Sequence, residues 1–168
     1  MNSSLLLVRS RSPLRLGLAG GGTDIASFYN QYGGCVLNIT IDLYACCTIK
    51  PKNDNKIKFI ASDVEEELTM DVTDHIELTG QLKLHKASYN RIIRDYNHGK
   101  PIGAFEMTTY CDSPPGSGLG SSSTLVVSII KAYSELLSIP LGDYDIANLA
   151  YQIEREDLEI GRASCRER

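Results

Sequence analysis

The stretch Ser113-Pro-Pro-Gly-Ser-Gly-Leu-Gly-Ser-Ser-Ser-Thr124 constrains this chain most, because it sets a glycine- and hydroxyl-rich loop against the start of a helical pattern. Glycines at 116, 118 and 120 allow a tight turn and a close approach of the backbone to an anion, and Ser121, Ser122, Ser123 and Thr124 add hydroxyl donors. From Leu125 the run LVVSIIKAYSELL repeats apolar residues at helical spacing, so the unpaired N–H groups and positive dipole end of that helix face the loop. A nucleotide triphosphate suits such a place. The loop is not a Walker A element, since no Gly-Lys-Ser/Thr follows the glycines, and Gly116-x-Gly118-x-Gly120 lacks the dinucleotide spacing. Local sequence equally allows a flexible connection that ends in a serine N-cap.

A second glycine cluster, Arg11-Ser-Pro-Leu-Arg-Leu-Gly-Leu-Ala-Gly-Gly-Gly-Thr-Asp24, weighs against that bland reading. Arg15 to Leu18 alternate as a strand does, Gly20, Gly21 and Gly22 break it, and Thr23-Asp24 are placed to cap a short helix through Tyr29. A strand thus delivers a cation and a carboxylate to one loop. Asp24 as a plain N-cap and Arg15 as a surface charge remain the alternative.

The two clusters together resemble the GHMP kinases, the superfamily of galactokinase, homoserine kinase and mevalonate kinase. Pro114 to Ser123 match the family's Pro-x-Gly-x-Gly-Leu-x-Ser-Ser phosphate loop, and Arg15, Gly21, Gly22, Asp24, Phe28, Tyr29, Gly33 and Gly34 look like the branch that acts on D-glycero-D-manno-heptose 7-phosphate. Galactokinases carry Gly-Glu-His-Thr-Asp where this chain has Gly20-Gly-Gly-Thr-Asp24. The likeness runs from about Val8 to Glu159. It implies an α+β fold, the ribosomal protein S5 domain 2-like N-terminal domain of a GHMP kinase, with a mixed sheet carrying helices on one side and an unusual left-handed crossover; patterning shows only that strands precede and interleave with helices.

Organisation along the chain is consistent with one such unit over residues 1–159. Leu5 to Ser10 and Pro13 to Leu18 read as strand pieces, Gly34 to Lys50 as one or two strands, and Lys56 to Ala61 with Glu65 to Met70 as a hairpin. His85 to His98 reads as a helix stopped at Gly99-Lys-Pro101, and Phe105 to Cys111 as the strand feeding the phosphate loop. The helix after the loop runs to about Leu137. Asp143 then caps a last helix with Ile146, Leu149, Ala150 and Ile153 in one stripe. Ile160 to Arg168 abandons this pattern and matches a translated sequencing adapter, so residues 160–168 are read as a non-native tail rather than a basic C-terminus.

Charge and cysteines narrow the partners. The chain carries −4, and its tail holds three arginines against one glutamate, so the remainder carries −6. Without a basic stripe, nucleic acid is excluded as a partner. Five cysteines, two of them the neighbours Cys46 and Cys47 and one in the tail, give no disulfide framework or zinc pattern, which points to a reducing cytoplasm. Leu5 to Val8 is too short for a signal core or a membrane span.

The resemblance implies transfer of the ATP γ-phosphoryl group to a sugar hydroxyl, in this branch the anomeric hydroxyl of the heptose 7-phosphate. On that reading Pro115, Gly116, Ser117, Gly118, Leu119, Gly120, Ser121, Ser122 and Ser123 cradle the ATP phosphates, Ser122 and Glu154 hold Mg²⁺, and Arg15 offsets charge at the transferring group. Asp24, Gly20, Gly21, Gly22 and Thr23 bind the sugar. Glu154 also belongs to an acidic run with Glu156, Asp157 and Glu159 that would serve as a solvated helix end. Lys83, Lys86 and Arg91 are nominated for the remote sugar phosphate, against a solvated helix face. The family's catalytic aspartate falls at Arg166, inside the tail, and its second domain is absent, so this polypeptide is expected to be inactive and to expose a surface meant for that domain. A kinase for L-fucose or another unphosphorylated sugar, and a non-catalytic nucleotide-binding remnant, are the alternatives. The residues say nothing about oligomeric state.

Overall fold

A computed structural model describes residues 7–158. Its five strands are β1 (Val8–Ala19), β2 (Leu37–Pro51), β3 (Lys56–Ala61), β4 (Glu66–Asp71) and β5 (Phe105–Cys111). They form one sheet in the order β1-β2-β5-β3-β4, antiparallel throughout except for the parallel pair β3–β5. The helices are α1 (Ala26–Tyr32), α2 (Lys83–Tyr96), α3 (Ser121–Leu137) and α4 (Asp143–Gln152), and α4 runs on into a single π turn, Ile153–Asp157. The mixed α+β sheet anticipated above is therefore present. The strand Leu5–Ser10 is found only from Val8, its first residues lying outside the described ones, and it fuses with Pro13–Leu18 into one strand. Pro13 is tolerated there because β1 is an edge strand, with no partner on its second side among the described residues.

One face of the sheet is buried and carries the helices. Val8, Ser10, Ser12 and Leu14 alternate inward on β1, and the register sets Cys47 opposite Ser10, Thr109 opposite Cys47 and Ala61 opposite Thr109 on that same face. Side-chain size sorts the helices across it. In the middle of β1 and β2 the inward residues Ser10, Ser12, Ala45 and Cys47 are small, and α3 comes close enough for the Ser10 hydroxyl to donate to the Ser128 carbonyl at 2.6 Å. Over β3 and β5 they are large: Phe59 and Phe105 join Tyr89 of α2 and Tyr133 of α3 in an aromatic cluster with centroids 5.9–6.4 Å apart. Each such ring, fully buried, contributes roughly 1.5–3 kcal/mol.

Two caps differ from expectation. Asp24 does not cap α1: its N-cap is Ile25, without a side-chain bond, and the helix runs to Tyr32 rather than Tyr29. Asp143 is the first residue of α4, and the cap position belongs to Gly142, whose N–H donates to the Asp145 carboxylate at 3.0 Å. The tail 160–168, the position of Arg166 and residue Glu159 lie outside the described residues.

Candidate functional site: a phosphate loop between a pocket and a cleft

The loop after β5 has the backbone its glycines allow. Gly116, Gly118 and Gly120 have φ of 81°, 78° and 74°, a region L side chains rarely enter, and around Gly116 and Gly118 an added Cβ would meet nothing within 4 Å. That side of the loop is open to a ligand. Ser113 and Ser117 hydroxyls bond each other across the loop's base. The hydroxyl run read as loop is in fact helix: α3 starts at Ser121 with Gly120 as its N-cap. Its first intrahelical bond is the Thr124 N–H to the Gly120 carbonyl, so the N–H groups of residues 121–123 precede the ladder and face outward at the positive end of a 17-residue helix.

Arg15 reaches this loop because β1 slips register between Pro13 and Arg15. A bulge bends a strand and re-aims the next side chain. The Arg15 N–H donates to the Leu119 carbonyl at 3.3 Å, and its guanidinium lies over Gly120, where a Cβ would come within 3.0 Å of Nη1. Gly120 thus serves two ends, a left-handed cap and a seat for the arginine.

The glycines after β1 are set by contact as well as by turn. A Cβ on Gly20 would fall 1.9 Å from the Cys35 carbonyl oxygen, and Gly20 has φ of 77°. Thr23 holds this close approach together, its hydroxyl bonded to the Gly20 carbonyl (2.8 Å) and to both the carbonyl and the N–H of Cys35 (3.1 Å each). Thr23 is thereby committed to the backbone. Asp24 accepts one bond, from the Gly22 N–H at 3.2 Å, and stays exposed, leaving carboxylate capacity free for a ligand.

Glu154, on the π turn, faces α3. Its carboxylate accepts from the Ser122 hydroxyl at 2.9 Å and from the Ser123 hydroxyl at 2.6 Å. Carboxylate plus hydroxyl is an all-oxygen donor set, suited to Mg²⁺ when phosphate oxygens and water complete the shell. Among the described residues no cluster of three or more histidines, cysteines, aspartates and glutamates exists, and Glu154 with the two serine hydroxyls makes up part of a shell.

These elements converge on two neighbouring hollows. An open cleft of about 700 Å³ brings together Arg15, Gly21, Gly22, Asp24, Ser122 and Glu154, uniting residues from both glycine clusters and the last helical turn. On the other side of the loop a mainly apolar pocket of about 280 Å³ is lined by Ala61, Val64, Leu82, His85 and Leu125, with Gly116 and Ser122 at its rim. Ser122 borders both. Sequence reading missed the pocket, because its walls come from β3, the turn after it and the start of α2, elements distant in sequence with no motif of their own. It missed Asn38 and Arg155 too, which line the cleft.

His85 in the pocket wall is buried, and burial pulls its pKa from 6.5 down to about 4. The Thr109 hydroxyl bonds the Ile60 carbonyl, so it accepts from His85 Nε2–H at 2.8 Å, which leaves His85 Nδ1 as a buried acceptor with no partner.

The cation set nominated for a remote phosphate is not assembled. None of Lys83, Lys86 and Arg91 lines the cleft. Lys83 borders the apolar pocket, Lys86 is 7 % exposed with its ammonium donated to the Thr79 carbonyl, and Arg91 is taken up by Asp157 and Glu156. Burial and carboxylates remote in sequence are what a linear reading of α2 could not register. Beyond the helices, β1 and β2 extend as an arm that exposes Leu16, Leu18, Leu37 and Ile39, the last two at 58 % and 52 %.

Comparison with known proteins agrees with this geometry. The profile of the GHMP kinases N terminal domain matches residues 83–163. The chain is 50 % identical over 153 residues to the D-glycero-alpha-D-manno-heptose 7-phosphate kinase of Campylobacter jejuni subsp. jejuni serotype O:2, an alignment covering 91 % of this chain and 44 % of that protein. Among solved structures, a D-glycero-D-manno-heptose 1-phosphate kinase from Bacteriodes thetaiotaomicron superposes with a TM-score of 0.87 at 51 % identity, over 93 % of this chain and 50 % of that one. The Methanococcus jannaschii mevalonate kinase, at 24 % identity and a TM-score of 0.76, shares the fold. The chain spans about half the length of these relatives. With its phosphate loop, its strand order and these matches in agreement, residues 83–163 match the N-terminal domain of the GHMP kinases, and the chain is similar over most of its length to heptose-phosphate kinases.

Proposed function

We propose that this chain is the nucleotide-binding part of an ATP-dependent sugar kinase that phosphorylates the anomeric hydroxyl of a heptose 7-phosphate. The observation that carries the reading is the placement of the phosphate loop between an apolar pocket and a polar cleft, with Ser122 bordering both. ATP bound with its base in the pocket runs its phosphates along Gly116 to Ser123, where backbone N–H groups and the helix dipole receive them, and delivers the terminal phosphoryl to the cleft. Arg15 meets the charge that builds there. Asp24 orients sugar hydroxyls, and Gly21, with open space around it, lets the sugar lie against the backbone. Ser122 and Glu154 are the residues that would hold Mg²⁺, and the ion would supply neutralisation of the phosphate charge. Phosphoryl transfer draws mainly on such positioning and electrostatic stabilisation.

The heptose assignment rests on relatives named for heptose phosphates. One observation favours a second reading, a kinase for an unphosphorylated sugar such as L-fucose: among the described residues the cleft offers Arg15 and Arg155 as cations and no cluster built for a second phosphate. No described helix is long and apolar enough to cross a membrane, and the reaction is read as cytoplasmic. The test is to assay the full-length gene product with ATP against heptose 7-phosphate, L-fucose and galactose. Turnover of the heptose phosphate alone supports the first reading, preference for a free sugar supports the second, and failure to bind ATP refutes both.

A further inference from the structure

Arg91 does not line the cleft, yet it makes the densest ion-pair arrangement among the described residues. Its Nε and Nη2 donate to the two carboxylate oxygens of Asp157, each at 2.8 Å, Nη2 also reaches Glu156 at 3.3 Å, and Nη1 approaches Asp95 at 3.5 Å. The Arg91 side chain is 7 % exposed and that of Asp157 20 %, so solvent and salt screen this fork poorly. Asp95 lies on α2 itself, whereas Asp157 and Glu156 sit on the π turn, three and two residues after Glu154. In an α-helix, residues three apart lie on one face. Here they do not act together: Glu154 bonds Ser122 and Ser123 at the start of α3, while Asp157 bonds Arg91 in the middle of α2. A π turn is wider than an α turn, is uncommon, and is found frequently at functional sites. It splays the two carboxylates toward two different helices.

We propose that Arg91 is a positioning residue for the metal-binding carboxylate: by gripping Asp157 and Glu156 it fixes the π turn in the register that holds Glu154 against the hydroxyls of Ser122 and Ser123. The proposal rests on the reading of Ser122 and Glu154 as the Mg²⁺ site. It assigns the acidic run after Glu154 a task, since Asp157 and Glu156 anchor the turn while Glu154 alone points to the phosphate loop. It also explains why Arg91, read from sequence as a phosphate binder, is buried. A rigid anchor matters because a carboxylate shared between two serine hydroxyls must keep its place when the phosphate oxygens and metal arrive.

The test measures ATP binding to this chain by calorimetry with and without Mn²⁺, and Mn²⁺ itself by its effect on water-proton relaxation, for the parent, Glu154→Gln, Arg91→Met, Arg91→Lys and the Glu154→Gln/Arg91→Met pair. The expected result is that Glu154→Gln and Arg91→Met each lower the Mn²⁺-dependent gain in ATP affinity by about tenfold, as loss of a group that orients a ligand does. Affinity for metal-free ATP stays unchanged in Arg91→Met, Arg91→Lys recovers part of the gain, and the double variant is no worse than Glu154→Gln alone. Amide exchange of residues 153–157 speeds up in Arg91→Met. If Glu154→Gln loses the gain and Arg91→Met keeps it, the positioning role is wrong while the metal site stands. If Glu154→Gln keeps the gain, the metal site itself is wrong and the proposal falls with it. Should Arg91→Met fold poorly, Asp157→Asn takes its place: equal loss with and without metal overturns the proposal in favour of a purely structural clamp, and loss of the metal-dependent part alone upholds it.

Discussion

His85 makes stability on the acid side quantitatively predictable. Its ring is buried in the wall of the apolar pocket, donates to Thr109 through Nε2 and leaves Nδ1 without a partner, and burial lowers its pKa from 6.5 to about 4. A proton added to the folded protein therefore has to charge a desolvated ring, whereas the unfolded chain accepts it near the ordinary value. The contribution of His85 is complete above the unfolded pKa and is lost as pH falls through the window from 6.5 to about 4. Applying the linkage relation to these two values, folding loses about 2 kcal/mol between about pH 7.5 and about pH 5 through this residue alone. The carboxylates titrate in part of the same range, so the measurement is a difference: urea unfolding of the parent and of His85→Gln, whose amide can still donate to Thr109, at both pH values. The parent's advantage over the variant should shrink by that amount on acidification, and the His85 ring resonances should titrate near 4. A difference that is flat within about 0.5 kcal/mol, or that grows toward acid, would refute the assignment of a neutral buried ring.

Further expectations follow from the same packing. The Tyr133 hydroxyl is buried without a partner while its ring packs edge-on against Phe105, so Tyr133→Phe should be neutral or stabilising by up to about 1 kcal/mol; a loss of more than about 1 kcal/mol in thermal or urea unfolding would show that the hydroxyl has a partner. Gly20→Ala sets a Cβ against the Cys35 carbonyl at a left-handed φ and should cost at least about 2 kcal/mol, whereas Gly21→Ala meets open space and should stay within about 0.5 kcal/mol of the parent. Gly21→Val should then weaken sugar binding in the full-length protein without lowering its melting temperature, and a fall in both would assign Gly21 to the fold instead. Omitting divalent cation should weaken ATP binding by the parent and leave that of Glu154→Gln unchanged, as read by calorimetry.

How much of this was legible in the sequence depends on how local its cause is. β5 and the β3–β4 hairpin lie where strict alternation places them, because one face of the sheet is buried and the other is not. The stripe Ile146, Leu149, Ala150 and Ile153 is buried as its spacing demands. Caps were read less well: Asp24 and Asp143 are good capping residues by type, yet Ile25 and Gly142 hold the positions because backbone geometry, set by Thr23 on one side and Asp145 on the other, decides where each helix begins. The start of α3 was set four residues late, since serines look like loop until a left-handed glycine is seen to end it. The π turn leaves no trace in hydrophobic periodicity, its one buried residue, Ile153, falling on the helical stripe. The motifs single out Arg15, Asp24 and Ser122, and the fold brings the three to one cleft. Lys86 and Arg91 were misread because what neutralises them, a carbonyl before α2 and carboxylates beyond α4, is assembled only by the fold.

The parallel pairing of β3 with β5 bears on how the site comes into being. Phe59 pairs with Met107 across a loop that contains β4, α2 and their connections, so forming this ladder carries the entropy cost of closing a long loop. The phosphate loop begins where β5 ends, and the pocket wall contributed by Ala61 is the last residue of β3. The β3–β5 ladder therefore sets the spacing between this pocket wall and the phosphate loop. On the proposed binding mode ATP touches both sides of this seam, so it should hold β3 and β5 together and slow their separation as occupancy rises.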